Sequence, residues 1–238
     1  MAPSIATLID HSLLHPTLDD RALEEGCQLA ARYGVASVCV KPYAVSAAAG
    51  LLAESTVRVG TVIGFPHGAN ASAIKAAEAE QACADGAVEL DMVVNVGKAL
   101  SRDWDYVAAD VWAVVDVAHA RGAIVKVIFE NDFLARDNDK VRLCEICRDV
   151  DADYVKTSTG FGFVKDASGH YGYRGATLDD VRLMLAHCGP RMQVKAAGGI
   201  RTYAHAAQMR ELGVARIGAT ATAEIIAGEQ EAMGAADA

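Results

Sequence analysis

No apolar run in this 238-residue chain approaches the roughly 18 residues that a membrane-spanning helix needs. The first ten residues, Met1 to Asp10, lack the basic flank and apolar core of a signal peptide, so the expected address is the cytosol. Basic side chains are scarce: 22 Lys and Arg stand against 31 Asp and Glu, a net charge of −9, which excludes a protein that coats nucleic acid or an anionic membrane surface. Small molecules are the expected partners. The six cysteines, at 27, 39, 83, 144, 147 and 188, form no disulfide framework and read as free thiols of a reducing compartment. Cys144 and Cys147 have C-x-x-C spacing, but they fall inside a helical stretch with no second pair, so they read as buried helix residues. The seven histidines show neither H-x-H nor H-E-x-x-H spacing, and no metal centre is expected. No interdomain linker interrupts the chain, which is expected to fold as one domain over residues 1–238.

What is present is a hydrophobic chain, 52% apolar and only 22% charged, long enough for a sizeable core. Short Val- and Ile-rich runs recur at 8–14, 36–40, 58–65, 87–94, 124–129, from 154 onward, 193–196 and 214–217. Ala-rich stretches with helical spacing separate most of them, at 20–33, 71–85, 106–121, 140–149, 178–187 and 204–212. Several of these stretches stop at a glycine just before the next run, as at Gly34, Gly86, Gly122 and Gly213, the signal of a short helix-to-strand turn. Strands apolar at nearly every residue must be covered on both faces, so the sheet is parallel with helices outside. Eight such units in this length predict a closed (β/α)8 TIM barrel, which typically needs about 250 residues, ahead of an open doubly wound sheet. The first run, 8–14, reads as strand or helix, because Asp10 breaks its apolar pattern.

Charges inside the strands carry the most information. Val125-Lys126-Val127, Val155-Lys156-Thr157 and Val194-Lys195-Ala196 each place a cation mid-strand, and Asp91 and Asp10 do the same with opposite sign. An ammonium buried alone is costly, so these groups must converge on one polar pocket at the strand C-termini. A structural ion-pair network explains one Lys–Asp pair. Three lysines with two aspartates point instead to a lysine whose charge is suppressed by burial and a neighbouring cation, the known route to a nucleophilic amine. A neutral amine attacks carbonyls, forming a Schiff base that serves as an electron sink for C–C cleavage or condensation. Residue types alone leave Lys156 and Lys195 as rival nucleophiles. Lys156 leads into the hydroxyl-rich Thr157-Ser158-Thr159-Gly160, suited to a polar substrate, and Lys195 leads into Ala196-Ala197-Gly198-Gly199.

The glycine-rich turns 197–202 and 218–222 follow the seventh and eighth strands and open helices, the place where many barrels cradle phosphate on backbone N–H groups. With Gly160, the candidate anion-binding set is Gly198, Gly199, Arg201, Gly218 and Thr220. His67 reads as a mouth or turn residue, and Cys39 as a core or substrate-facing one.

The motifs together resemble the deoxyribose-phosphate aldolases, a class I aldolase family, over nearly the whole chain. Residues 8–14 resemble the family's first strand, Ser37-Val38-Cys39-Val40 its cysteine strand, and Phe65-Pro66-His67-Gly68 its third-strand turn. Residues 89–95 match the segment of its catalytic Asp, 154–160 that of its Schiff-base Lys, and 194–201 that of its second Lys. The resemblance implies that Lys156 forms the iminium with the acetaldehyde portion, that Lys195 depresses the Lys156 pKa and assists proton transfer, and that Asp91 with a bound water shuttles protons. Asp10, Cys39, Lys126 and Thr157 would be supporting or substrate-binding residues. The implied reaction is reversible cleavage of 2-deoxy-D-ribose 5-phosphate to D-glyceraldehyde 3-phosphate and acetaldehyde, with neither metal nor organic cofactor. A homodimer is the assembly considered, the sequence leaving oligomeric state open.

Three departures from that pattern bear on substrate. Thr220-Ala221 stands where the family usually has a phosphate-binding Ser pair. Residues 161–175, between Gly160 and Ala176, replace a loop commonly about half as long, and read as a lid or a passive excursion. The tail lacks the C-terminal Tyr that some members use in proton transfer, which leaves that task to water or predicts slower turnover. Two alternatives follow: a Schiff-base aldolase of non-phosphorylated or differently substituted aldols, and a non-catalytic barrel that binds sugar phosphates.

Overall fold

The computed structural model describes residues 3–236. Eight parallel strands close into a barrel: β1 (Ile9–Leu13), β2 (Ser37–Val40), β3 (Arg58–Ile63), β4 (Glu89–Val93), β5 (Ile124–Ile128), β6 (Tyr154–Lys156), β9 (Gln193–Ala197) and β10 (Arg216–Ala219). They pair in sequence order, and β10 closes the ring on β1. Between them lie α1 (Asp20–Tyr33), α2 (Val45–Leu51), α3 (Ser72–Ala84), α4 (Val96–Leu100), α5 (Trp104–Ala120), α6 (Asp137–Asp149), α7 (Leu178–His187) and α8 (Tyr203–Leu212), and α9 (Thr222–Ala236) follows the last strand. No helix of the described residues is long and apolar enough to cross a membrane.

Side chains alternate along each strand. Ile9, Val38, Leu90, Met92, Val125, Val127, Val155, Val194 and Ile217 point outward and join the helices in one continuous buried apolar cluster. The inward positions are largely polar. The interior therefore departs from the usual stacked Val, Ile and Leu layers of such barrels: Asp10, Glu89, Asp91, Lys126, Lys156, Lys195 and Arg216 are all buried there. A small apolar cluster, Leu14, Cys39 and Val62, is buried apart from the outer one.

Local signals set the element ends. Asp19 caps α1 by accepting from the Ala22 N–H at 2.9 Å, and Gly34 ends the helix in the left-handed region at φ 60°. The last barrel strand sits two residues later than the apolar run 214–217 predicts, because Gly213, at φ 99°, is still ending α8 and Val214 completes that turn. Helix α6 begins at Asp137, ahead of the predicted 140, since its first turn carries acids that suit the N-terminal dipole but carry no apolar period. The ambiguous first run is a strand, preceded by a short 3-10 turn, Ile5–Leu8. Glu229 on α9 holds that turn, accepting from Ser4 Oγ at 2.6 Å and from the Ile5 N–H at 2.9 Å.

Residues 161–175 are not a bare loop. They carry a small antiparallel hairpin, β7 (Val164–Lys165) and β8 (Tyr171–Gly172), standing outside the barrel beyond the end of β6.

Candidate active site

Strand register brings the charged residues together. Asp91 of β4 pairs with Lys126 of β5, and Lys156 of β6 pairs with Lys195 of β9. Asp91 is the hub: Oδ2 accepts from Lys156 Nζ at 2.6 Å and from Lys195 Nζ at 2.7 Å, and Oδ1 accepts from Lys126 Nζ at 3.0 Å. Asp10 lies 2.5 Å from Lys195, 3.1 Å from Lys126 and 3.2 Å from Arg216. Glu89 completes the network at 2.6 Å from Lys126 and 2.8 Å from Arg216.

Four buried basic groups thus share three carboxylates, Asp10, Glu89 and Asp91, with the exposed Arg58 a further neighbour at 3.3 Å from Glu89, so the buried set is neutral when one base gives up its proton. Geometry selects which. Lys126 touches all three acids, while Lys195 and Arg216 touch two each. Among the described residues Lys156 touches only Asp91, on the oxygen it shares with Lys195. Burial and then the Lys195 charge push the Lys156 pKa down against the opposing pull of Asp91. Burial also opposes the charge on Lys195 and Lys126, but their carboxylates override it and hold both pKa values above the usual lysine range. Burial would raise the Asp91 carboxyl as well, and the three ammonium groups instead hold it well below the ordinary value. The result is an amine whose charge is disfavoured relative to an ordinary lysine, beside a fixed cation and a fixed anion.

A cavity of about 390 Å³ opens above this network. Lys156 and Lys195 line it with Asp10 and Cys39, whereas Asp91 and Lys126 do not. Burial drives the Cys39 thiol up to about 11, so it stays protonated near neutrality. Gly160, Gly198, Gly199, Arg201, Gly218 and Thr220, the candidate anion-binding set, all line the same cavity. Two consecutive left-handed residues, Gly198 at φ 100° and Gly199 at φ 77°, shape its wall. Glycine at 218 leaves space for Lys195, since a Cβ there would sit 3.3 Å from Lys195 Cε and 2.9 Å from Ala197 Cβ.

Thr157 is placed differently from a substrate-binding residue. Its hydroxyl donates to the Ala197 carbonyl at 2.8 Å and accepts from the Ala197 N–H at 2.9 Å, which ties β6 to β9 and keeps it out of the cavity. His67 is exposed and does not line the cavity; it belongs to the turn after β3. Among the described residues no group of three or more His, Cys, Asp or Glu side chains is arranged to hold a metal ion.

Several site residues escaped the sequence reading. Glu89 lies two residues before Asp91 and Arg216 two before Gly218, so the period-2 rule places each on the barrel's inner face. Ser12 lines the cavity two residues beyond Asp10. Glu130 offered no such signal: it follows β5 in the left-handed region at φ 58°, buried, and its carboxylate accepts from both the N–H and the hydroxyl of Thr159. Burial raises its pKa, against the lowering effect of those Thr159 bonds.

Comparison with known proteins places this architecture. A family profile described as DeoC/LacD family aldolase matches residues 4–234. The chain is 49% identical over 230 residues to a deoxyribose-phosphate aldolase of Rhodopirellula baltica, covering 97% of this chain and 91% of that one. It is 46% identical to the protein of the same name from Thermococcus gammatolerans, covering 96% and 97%. Among solved structures, the tetrameric deoxyribose phosphate aldolase of Aeropyrum pernix superposes with a TM-score of 0.85 at 30% identity, over 96% of this chain and 92% of that one. Barrel, buried lysines and sequence agree along nearly the full length, and the chain belongs to the DeoC/LacD family of aldolases.

Proposed function

We propose that this protein is a Schiff-base aldolase that reversibly cleaves 2-deoxy-D-ribose 5-phosphate to D-glyceraldehyde 3-phosphate and acetaldehyde. The observation that carries the reading is the unequal sharing of Asp91 Oδ2: Lys195 has a second carboxylate, Asp10, to keep it charged, and Lys156 has none. Lys156 is accordingly assigned as the nucleophile.

The neutral Lys156 amine adds to the C1 aldehyde, and loss of water from the carbinolamine leaves an iminium. Removal of the proton from the C3 hydroxyl lets the C2–C3 bond break. C3 becomes the aldehyde of the departing glyceraldehyde 3-phosphate, and the bonding pair moves into the enamine at C2. Protonation at C2 and addition of water to the iminium release acetaldehyde and restore the amine. Asp91, held as a carboxylate, orients the two lysines and a water that carries these protons, and Lys195 stays cationic, keeping Lys156 neutral. Lys126 and Asp10 hold Asp91 and Lys195 in place. The glycine walls at 198–199 and 218, with Arg201 and Thr220, receive the phosphate. The six free cysteines suit a reducing, cytosolic location.

Borohydride trapping with acetaldehyde tests the chemistry. A stable ethyl adduct mapping to Lys156 is the expected result; an adduct on Lys195 or Lys126 reassigns the nucleophile, and no adduct leaves only a binding protein. Rates on 2-deoxyribose and its 5-phosphate test the substrate. Ala221 removes one hydroxyl from the anion end, so equal rates on the two would move the reading to a non-phosphorylated aldol.

A further inference from the structure

The hairpin that replaces a short turn between Gly160 and Ala176 is built into the cavity wall. Phe161, Phe163 and Tyr173 all line the cavity. Phe161 meets Phe65 edge-on at 5.5 Å between ring centres, and Phe163 meets Tyr173 edge-on at 5.4 Å. Both feet of the excursion are fixed. At the first, the Phe161 N–H donates to Thr159 Oγ1 at 2.9 Å, and Thr159 in turn is held by buried Glu130. At the second, the Asp132 carboxylate accepts from the Arg174 N–H at 2.7 Å and the Gly175 N–H at 2.9 Å. Immediately beyond, the Ala176 N–H donates to the Gly198 carbonyl at 3.0 Å. The backbones cross so closely that a Cβ on Gly175 would lie 2.4 Å from Gly198 O.

These anchors leave Tyr173 little freedom. Its ring lies against Gly199, where a Cβ would come within 3.9 Å of Tyr173 Cε2, and its phenol oxygen accepts from Arg201 Nη2 at 3.5 Å. An oxygen that accepts from a guanidinium keeps its own O–H to donate. The hydroxyl therefore stands beside a cation and a glycine-rich wall, at the end of the cavity assigned above to the anion. Of the two carboxylates that seat the hairpin, Asp132 also lies 3.8 Å from the Arg174 guanidinium, and Glu130 is bonded to Thr159.

We infer that Tyr173 is a specificity-determining residue: its phenol donates to the phosphate of the substrate, with Arg201 behind it, and supplies a hydroxyl to an anion site in which position 221 is alanine. This rests on the function proposed above and extends it from a shared wall to a residue on this chain's own hairpin. The hairpin is then a recognition element fixed in place and not a passive excursion.

The test compares Tyr173→Phe with Tyr171→Phe, whose ring is exposed and outside the cavity. Loss of one hydrogen bond to a charged group predicts an increase of about tenfold in KM for 2-deoxyribose 5-phosphate in Tyr173→Phe. The kcat should be retained, kinetics on unphosphorylated 2-deoxyribose unchanged, and Tyr171→Phe silent throughout. Equal losses on both sugars, a loss confined to kcat, or no change would each overturn the inference. Calorimetric titration with inorganic phosphate reads the same hydroxyl without turnover: the Kd should weaken by about the same factor in Tyr173→Phe, and an unchanged Kd refutes the role. Acetaldehyde trapping on Lys156 in both proteins separates the two ideas. Failure of wild type to trap strikes the reaction, whereas normal trapping with unaltered phosphate affinity strikes only Tyr173.

Discussion

Replacing Lys195 with methionine should cost the Lys156 amine its reactivity near neutral pH while leaving that amine in place. Both ammonium groups bind the same oxygen, Asp91 Oδ2, at 2.6 and 2.7 Å, so their nitrogens lie no further apart than about 5 Å. At that separation, with an effective dielectric constant near 20, two unit charges repel by about 3 kcal/mol. Lys195→Met removes this repulsion and frees Asp91 Oδ2 to serve Lys156 alone, and both changes favour protonated Lys156. The neutral fraction below its pKa should fall on the order of a hundredfold, and the acid limb of the trapping-rate profile should move to higher pH. The assay is the rate of borohydride-captured adduct with acetaldehyde across pH, read by mass on Lys156. Lys195→Arg, which keeps the charge, should leave the acid limb near its wild-type position, and thermal melting of both variants checks that they fold. A Lys195→Met profile that drops in height without shifting along the pH axis would refute the electrostatic reasoning and leave Lys195 a proton carrier only.

Two further outcomes follow from residues outside the cavity. His11 on β1 faces Thr222, with Nδ1 2.8 Å from the hydroxyl, and burial pulls its pKa down to about 4, against a smaller raising effect from Glu224. A histidine neutral in the fold and charged when unfolded lowers stability as pH falls from about 6.5 to about 4, by ~3 kcal/mol, with no further loss from this group below that window. Urea unfolding of His11→Asn should show a shallower decline than wild type across that interval, and parallel curves would contradict the account. Gly175→Ala places a methyl 2.4 Å from Gly198 O on a residue at φ 68°. A loss of about 1–3 kcal/mol in stability is expected, together with a raised KM for the phosphorylated substrate as Tyr173 is displaced. Unchanged melting and kinetics would show that the crossing is looser than drawn.

The barrel was legible because its strands and helices alternate in period, and because glycines such as Gly34 and Gly213 end helices in the left-handed region. The convergence of Asp91, Lys126, Lys156 and Lys195 was legible too, since a cation in the middle of an apolar strand has few places to go. Which lysine is short of carboxylate was not, because it depends on Asp10 of the first strand reaching Lys195 past β10, a closure between the two ends of the chain. The polar pocket inside the barrel was expected from those lysines and aspartates, but Glu89 and Arg216 were overlooked beside their apolar neighbours although alternation places them inward. The hairpin within 161–175 was opaque for another reason. Its strands are two residues each and exposed, so they carry no periodic signal, and their placement rests on Glu130 and Asp132, distant in sequence.

The charged interior also bears on how the molecule assembles itself. Its seven ionic side chains come from six strands, first to last, and none finds its full complement of partners within a single β-α-β unit. A three-quarter ring would hold Lys126 and Asp91 together but leave Asp10 parted from Lys195 and Arg216, with ions facing a gap that water must fill. Stepwise growth from a half-barrel is thereby disfavoured, and the final seam between β10 and β1 becomes the event that drains the centre.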